Sequence, residues 1–131
     1  MSLELRIPNV VWPEQSGIYK VVQFMIEGVP YLEFNRKDEI YHGQIIDRFA
    51  KKMSIQMIVR KVKDEPLKFF KDGEKYKIQG MGYCDLNLMQ RIAEFYGSSQ
   101  HYDISIDQRH LELIKPFAPD INIQYNPSRR K

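Results

Sequence analysis

The chain has a single cysteine, Cys84, which excludes an internal disulfide and fits a reducing compartment. No apolar run approaches the ~20 residues a membrane-spanning helix needs. The opening stretch MSLELRIPNVVWPEQ is broken by Glu4 and Arg6, so it does not read as a secretory leader. A cytoplasmic location without membrane association is expected. Three histidines, 42, 101 and 110, are scattered, and one cysteine supplies no paired ligand spacing. No metal and no cofactor are expected. There is no GxxxxGKS/T phosphate loop and no GxGxxG fingerprint. Charge of one sign is also scarce: a net +3 is too small to argue for nucleic acid by itself.

Hydrophobic content of 43% and charged content of 28% are ordinary for a globular chain. A chain of 131 residues can bury roughly two-thirds of its unfolded surface, and one domain spanning 1–131 is expected. GIYKVVQFMI (17–26) is rich in β-branched and aromatic residues and reads as a strand. YLEF (31–34), SIQMIVRKV (54–62), KYKIQGMGY (75–83) and INIQY (121–125) read as further strands. KDEPLKFFKDGEKY reads as turn-rich around Asp72-Gly73. Leu88, Met89, Ile92, Phe95 and Tyr96 recur at helical spacing behind Asp85 as a possible cap, which predicts a helix over 85–96. Ser105 and Gln108 have capping-box spacing, and Ile106, His110, Leu113, Ile114 and Phe117 then form an inward stripe. The tail 126–131, NPSRRK, reads as a frayed basic end. This order predicts an α+β fold, a mixed β-sheet flanked by helices.

DEIYHGQIIDRF (38–49) carries the sharpest question. At ~100° per residue, Ile45, Ile46, Phe49 and Met53 share one helical stripe, and His42 falls inside it. Core packing is the bland explanation. However, His42 lies in the first turn, near unpaired backbone N–H groups that favour an anion. His110, between Ile106 and Leu113, reads as a core histidine. KFFKDGEKYKIQGMGY (68–83) interleaves Lys68, Lys71, Lys75 and Lys77 with Phe69, Phe70 and Tyr76, as a nucleic-acid surface can. An amphipathic strand pair with solvated lysines is the preferred reading.

Four blocks in order resemble the janus/ocnus family, the protein phosphohistidine phosphatases. IPNVVWPEQSGIYKVVQFMI resembles the family's Ile-Pro-x-Val start and Gly-x-Phe-Lys-Tyr-Val strand. YHGQIIDRF resembles its Tyr-His-Ala-Asp-Ile helix start, IQGMGYC its Val-Tyr-Gly-Tyr-Ser strand end, and YGSSQHYDIS its Tyr-Gly-x-Ala-(Gln/Asp)-His-Ala segment. The chain departs from the pattern at four places. Cys84 stands where the family has serine, Phe34 where it has an arginine, DLNLMQRIAEF is inserted, and the Gly-Gly-Gly-Arg-Ile segment is missing.

The resemblance implies metal-independent hydrolysis of the N–P bond of phosphohistidine, or of phospholysine, on a protein substrate. It places His42 as nucleophile or general base. Lys20 would hold a phosphoryl oxygen, and Tyr83, Cys84 and His101 would contact the phosphate or substrate. Asp38 is a candidate to orient the imidazole. A monomer is expected. Two alternatives stay open: a non-catalytic relative that binds phosphorylated partners, and a basic nucleic-acid-binding module.

Overall fold

The computed structural model describes residues 7–130; Glu4, Arg6 and Lys131 lie outside the described residues. The β-branched run Gly17–Ile26 forms β1, which turns through Glu27-Gly28 into β2, Val29–Phe34. Helix α1 follows over His42–Met53. Strands β3, Met57–Val62, and β4, Glu65–Phe70, form a separate hairpin. Strand β5 runs from Tyr76 to Asn87 and β6 from Ile92 to Tyr96. A small ladder, β7 (Ser98–Ser99) with β8 (Ile104–Ser105), precedes α2, Gln108–Ile114. A 3₁₀ turn over Lys115–Phe117 leads to β9, Asn122–Tyr125. The main sheet has the order β2-β1-β5-β6-β9, antiparallel except for the parallel β6–β9 pair. The fold is α+β with one mixed sheet.

Strand alternation sends successive side chains to opposite faces, and each face carries its own core. On one side Val22, Phe24, Ile26 and Met81 meet Ile45, Ile46, Phe49 and Ala50 of α1, with Phe70 of β4. Phe24 and Phe49 stack with centroids 4.0 Å apart. On the other side Val21, Leu32, Phe34, Cys84, Leu86 and Phe95 meet Ile106, Leu111 and Ile114 of the α2 segment. Among the described residues no helix is long and apolar enough to cross a membrane.

Several expectations are corrected. The segment 85–96 is a β-hairpin, with Leu86 opposite Ala93 and Asp85 opposite Glu94. Leu86 with Leu88, and Ala93 with Phe95, keep a period of two on the α2-side face, and Asn87 makes the turn between them by accepting the Gln90 N–H at 3.0 Å. Arg91 completes the turn at a φ of 56°, while Met89, inward in the helical reading, is 96% exposed. The KDEPLKFF stretch holds β4 rather than turns alone. Helix α2 is capped by Asp107, whose Oδ1 accepts the His110 N–H at 3.2 Å, and its buried face is His110, Leu111 and Ile114. Leu113 and Phe117 point outward, about half exposed. Tail residue Arg129 is not frayed: its guanidinium bonds Asp85 and Glu94.

Candidate functional site

Lys20 on β1 faces Tyr83 on β5 as a direct cross-strand pair. Both side chains lie on the α1 side, in register with Val22 and Met81. Asn35 then brings the helix to them. Its Oδ1 accepts the Lys20 N–H at 2.8 Å, and its amide donates to the Glu39 carbonyl at 3.0 Å. This clamp ties loop 35–41 to the end of β1. Gln44 reaches back to accept the N–H groups of Ile40 and Tyr41 at 2.6 and 2.9 Å, satisfying donors just ahead of the first helical turn. Lys20 Nζ donates to the Ile40 carbonyl. His42, the first helical residue, is thereby set over the sheet beside Tyr83, the two rings edge to face at 5.9 Å.

His42 Nε2 lies 3.0 Å from the Gly82 carbonyl oxygen. A carbonyl only accepts, so Nε2 carries the hydrogen and a neutral ring has its lone pair on Nδ1. On the opposite face Gly82 lets the Ile106 segment pack close, since a Cβ there would fall 2.6 Å from both the Tyr96 carbonyl oxygen and the Ile106 side chain. The imidazole forms part of the wall of a pocket of about 660 Å³, within the usual range for small-molecule sites. Lys20, Tyr41 and Tyr83 line it from the sheet and helix side, Glu65 and Lys68 from β4, and Ser99, His101 and Tyr102 from the β7–β8 loop.

That loop depends on Gly97, whose φ of +78° favours glycine and whose Cβ would sit 2.9 Å from the Tyr83 ring. His101 is exposed at the rim, stacked on Tyr41 with centroids 6.2 Å apart. Tyr102 closes the wall. Its hydroxyl accepts the Lys68 N–H at 2.9 Å and donates to the Lys68 carbonyl at 3.2 Å. Lys68 is further held by Asp47 of α1 at 3.2 Å. Two ammonium groups, Lys20 and Lys68, and the start of a helix thus border one space with the Glu65 carboxylate, while Asp47 outside the lining pairs with Lys68. The balance favours an anion.

Of the expected site residues, His42, Lys20, Tyr83 and His101 come together here. Cys84 does not. It is fully buried in the α2-side core, because a residue next to Tyr83 on a strand faces the opposite way, and burial pushes its thiol pKa far up. The backbone at Tyr83, Cys84 and Asp85 pairs with both β1 and β6, so those groups serve the ladders rather than an anion. Asp38 is exposed in the loop before the helix, not one helical turn behind His42, since α1 begins at His42 itself. Glu39, next to Asp38, pairs with Arg48 at 2.9 Å. Burial raises the Glu39 pKa, but the Arg48 hydrogen bond and charge outweigh it and leave it below the usual value.

Tyr41, Lys68 and Tyr102 belong to the site and were not singled out for it. For Lys68 no alternation signalled it, since EPLKFF buries Leu67 and Phe70, three residues apart. Phe70 of the same run is buried and meets Phe24 and Tyr76, so it is spent on the core and offers no face to a base. Among the described residues no group of three or more His, Cys, Asp or Glu side chains could hold a metal ion. Compared with protein-family models and with curated proteins, the chain gives no match.

Proposed function

We propose that the chain is a histidine-dependent, metal-independent phosphatase of the janus/ocnus kind, acting on phosphohistidine in proteins. The observation that carries this reading is the place of His42: buried at the start of α1, it forms part of the wall of a pocket bordered by Lys20 and Lys68. Its Nε2 donates to the Gly82 carbonyl, which sets the tautomer.

Phosphohistidine is a phosphoramidate whose N–P bond weakens once its nitrogen is protonated. In the nucleophilic form of the proposal, the His42 Nδ1 lone pair bonds to phosphorus as the substrate N–P bond breaks. The departing imidazole keeps the bonding pair and the proton it gained. Water then attacks phosphorus, releasing inorganic phosphate and returning His42 to its neutral form. In the general-base form, Nδ1 takes a proton from the attacking water. Lys20 and Lys68 offset the phosphoryl charge in either case. An imidazole is suited to both roles near neutral pH.

Hydrolysis of a phosphohistidine peptide, with chelator present, tests the reading. Wild type is expected to turn over and His42→Ala to fall by at least about 10²-fold, the scale of a lost acid–base group. Equal rates in both proteins refute it. Tight binding of the phosphopeptide by both without turnover selects the non-catalytic alternative.

A further inference from the structure

Asp85 on β5 and Glu94 on β6 face each other directly across the sheet. Like charges in that position destabilise a strand pair, so the arrangement calls for a cation. The chain supplies one. Arg129 Nη1 reaches Asp85 Oδ2 at 3.0 Å and Glu94 Oε1 at 2.6 Å, and its guanidinium carbon lies 4.1 Å from the Tyr96 ring centroid. Two carboxylates and an aromatic face make a cradle matched to a planar guanidinium, a shape that an ammonium point charge does not fill.

The cradle is open. Arg129 keeps 33% of its side-chain surface exposed, Asp85 41% and Glu94 27%, and exposed ion pairs hold weakly. Arg129 arrives from the segment after β9, where Asn126 Oδ1 accepts the Ser128 N–H at 3.1 Å and turns the chain back over β6. Tyr96 in turn stacks on Tyr83 at 5.8 Å, and Tyr83 meets His42 at 5.9 Å. Tyr83, in the wall of the histidine pocket, therefore lies directly against Tyr96 of the cradle. About four residues of extended chain, at ~3.3 Å each, span these two ring-to-ring steps.

We propose that Asp85, Glu94 and Tyr96 form an arginine-recognition subsite. Arg129 fills it in the unliganded protein, and an arginine of the phosphoprotein substrate, a few residues from the phosphohistidine, takes its place. The proposal rests on the phosphatase reading of the His42 pocket. The tethered tail competes with substrate at an effective concentration on the order of mM, so the intramolecular contact sets a threshold that only an arginine-bearing substrate overcomes efficiently.

Calorimetry on the full chain tests this with peptides carrying a non-hydrolysable phosphohistidine analogue and either arginine or alanine four residues away, on each side. The same peptides with plain histidine serve as the second arm. Arg129→Ala is expected to bind the arginine peptide about tenfold more tightly than wild type, and the alanine peptide equally. Asp85→Asn with Glu94→Gln is expected to erase the arginine preference while keeping the wild-type near-UV circular dichroism. If that pair of substitutions disturbs the fold, the Arg129→Ala comparison decides alone. A preference for arginine in plain-histidine peptides, with no gain from the analogue, supports the subsite and rejects the phosphatase reading. A gain from the analogue with no arginine preference in any variant does the reverse. Absence of binding by every peptide overturns both.

Discussion

At the scale of single residues, His110 shows how partners hold a buried imidazole in a core. His110 is 1% exposed. Its Nε2 donates to the Phe24 carbonyl at 2.8 Å, and its Nδ1 faces the Gln23 amide at 3.3 Å. Gln23 also donates to the Asp107 carbonyl and accepts the Asp107 N–H, so one buried amide joins β1 to the start of α2. Burial lowers the His110 pKa from 6.5, outweighing the opposing pull of Phe24 and Asp107. The unfolded chain therefore takes up a proton before the folded one does, and stability falls as pH drops below about 6.5 towards the folded value. Urea melts from pH 7.5 to 5 should show this loss, at up to about 1.4 kcal/mol per unit of pH. His110→Gln should flatten that limb. Asp107 acts lower on the scale. Burial raises its pKa, but Gln79 and the His110 and Arg109 N–H groups bring it below 3.8. Its contribution is lost only as pH falls through that lowered value.

At the scale of elements, the β3–β4 hairpin depends on others for its position. Its outer half, Val59 to Pro66, is exposed. Its inner half is held by Leu67 and Phe70 in the core, by Lys68–Asp47, and by the Tyr102 hydroxyl on both backbone groups of Lys68. Tyr102→Phe removes two hydrogen bonds and leaves the Lys68 backbone to water, a loss of about 1 kcal/mol. Amide exchange in 65–70 is expected to accelerate several-fold while β1 and β5 exchange as before; uniform protection in the variant would refute the latch. This element was half legible in the sequence. The β-branched SIQMIVRKV announced β3, but Pro66, Lys71 and Asp72-Gly73 masked β4, because a hairpin with one edge held by a tyrosine lacks the even alternation of a sheet interior. The 85–96 hairpin failed for another reason. Leu88, Met89, Ile92 and Phe95 fit helical spacing, and the Asn87 turn and the pairing with β9 override it. By contrast, the inward stripe of α1 was legible: His42, Ile45, Ile46 and Phe49 are buried on it and Met53 is half-buried, though the helix starts only at His42.

At the scale of the whole molecule, one sheet separates two cores, and the site is built from both sides of it. His42 and Lys20 belong to the α1 face, while the Gly82 that anchors His42 is backed by Ile106 of the α2 segment. The sequence carried the residues of each face through the alternation of β1, where Val21 and Val22 enter opposite cores. It did not carry which loop would close the pocket, since the meeting of Tyr102 with β4 joins positions 34 residues apart with no local pattern. A shared sheet predicts shared unfolding. Trp12, the sole tryptophan, packs on Phe34 at 5.3 Å on the α2 side, whereas Phe49 is fully buried on the α1 side. Phe49→Ala should cost about 3–5 kcal/mol. Because β1 and β5 contribute residues to both cores, tryptophan fluorescence and far-UV circular dichroism should shift together to the same lower denaturant midpoint with one m-value. If fluorescence keeps the wild-type midpoint while the helix signal melts early, the two faces are separate cooperative units. The pocket geometry would then depend on the α1 core alone.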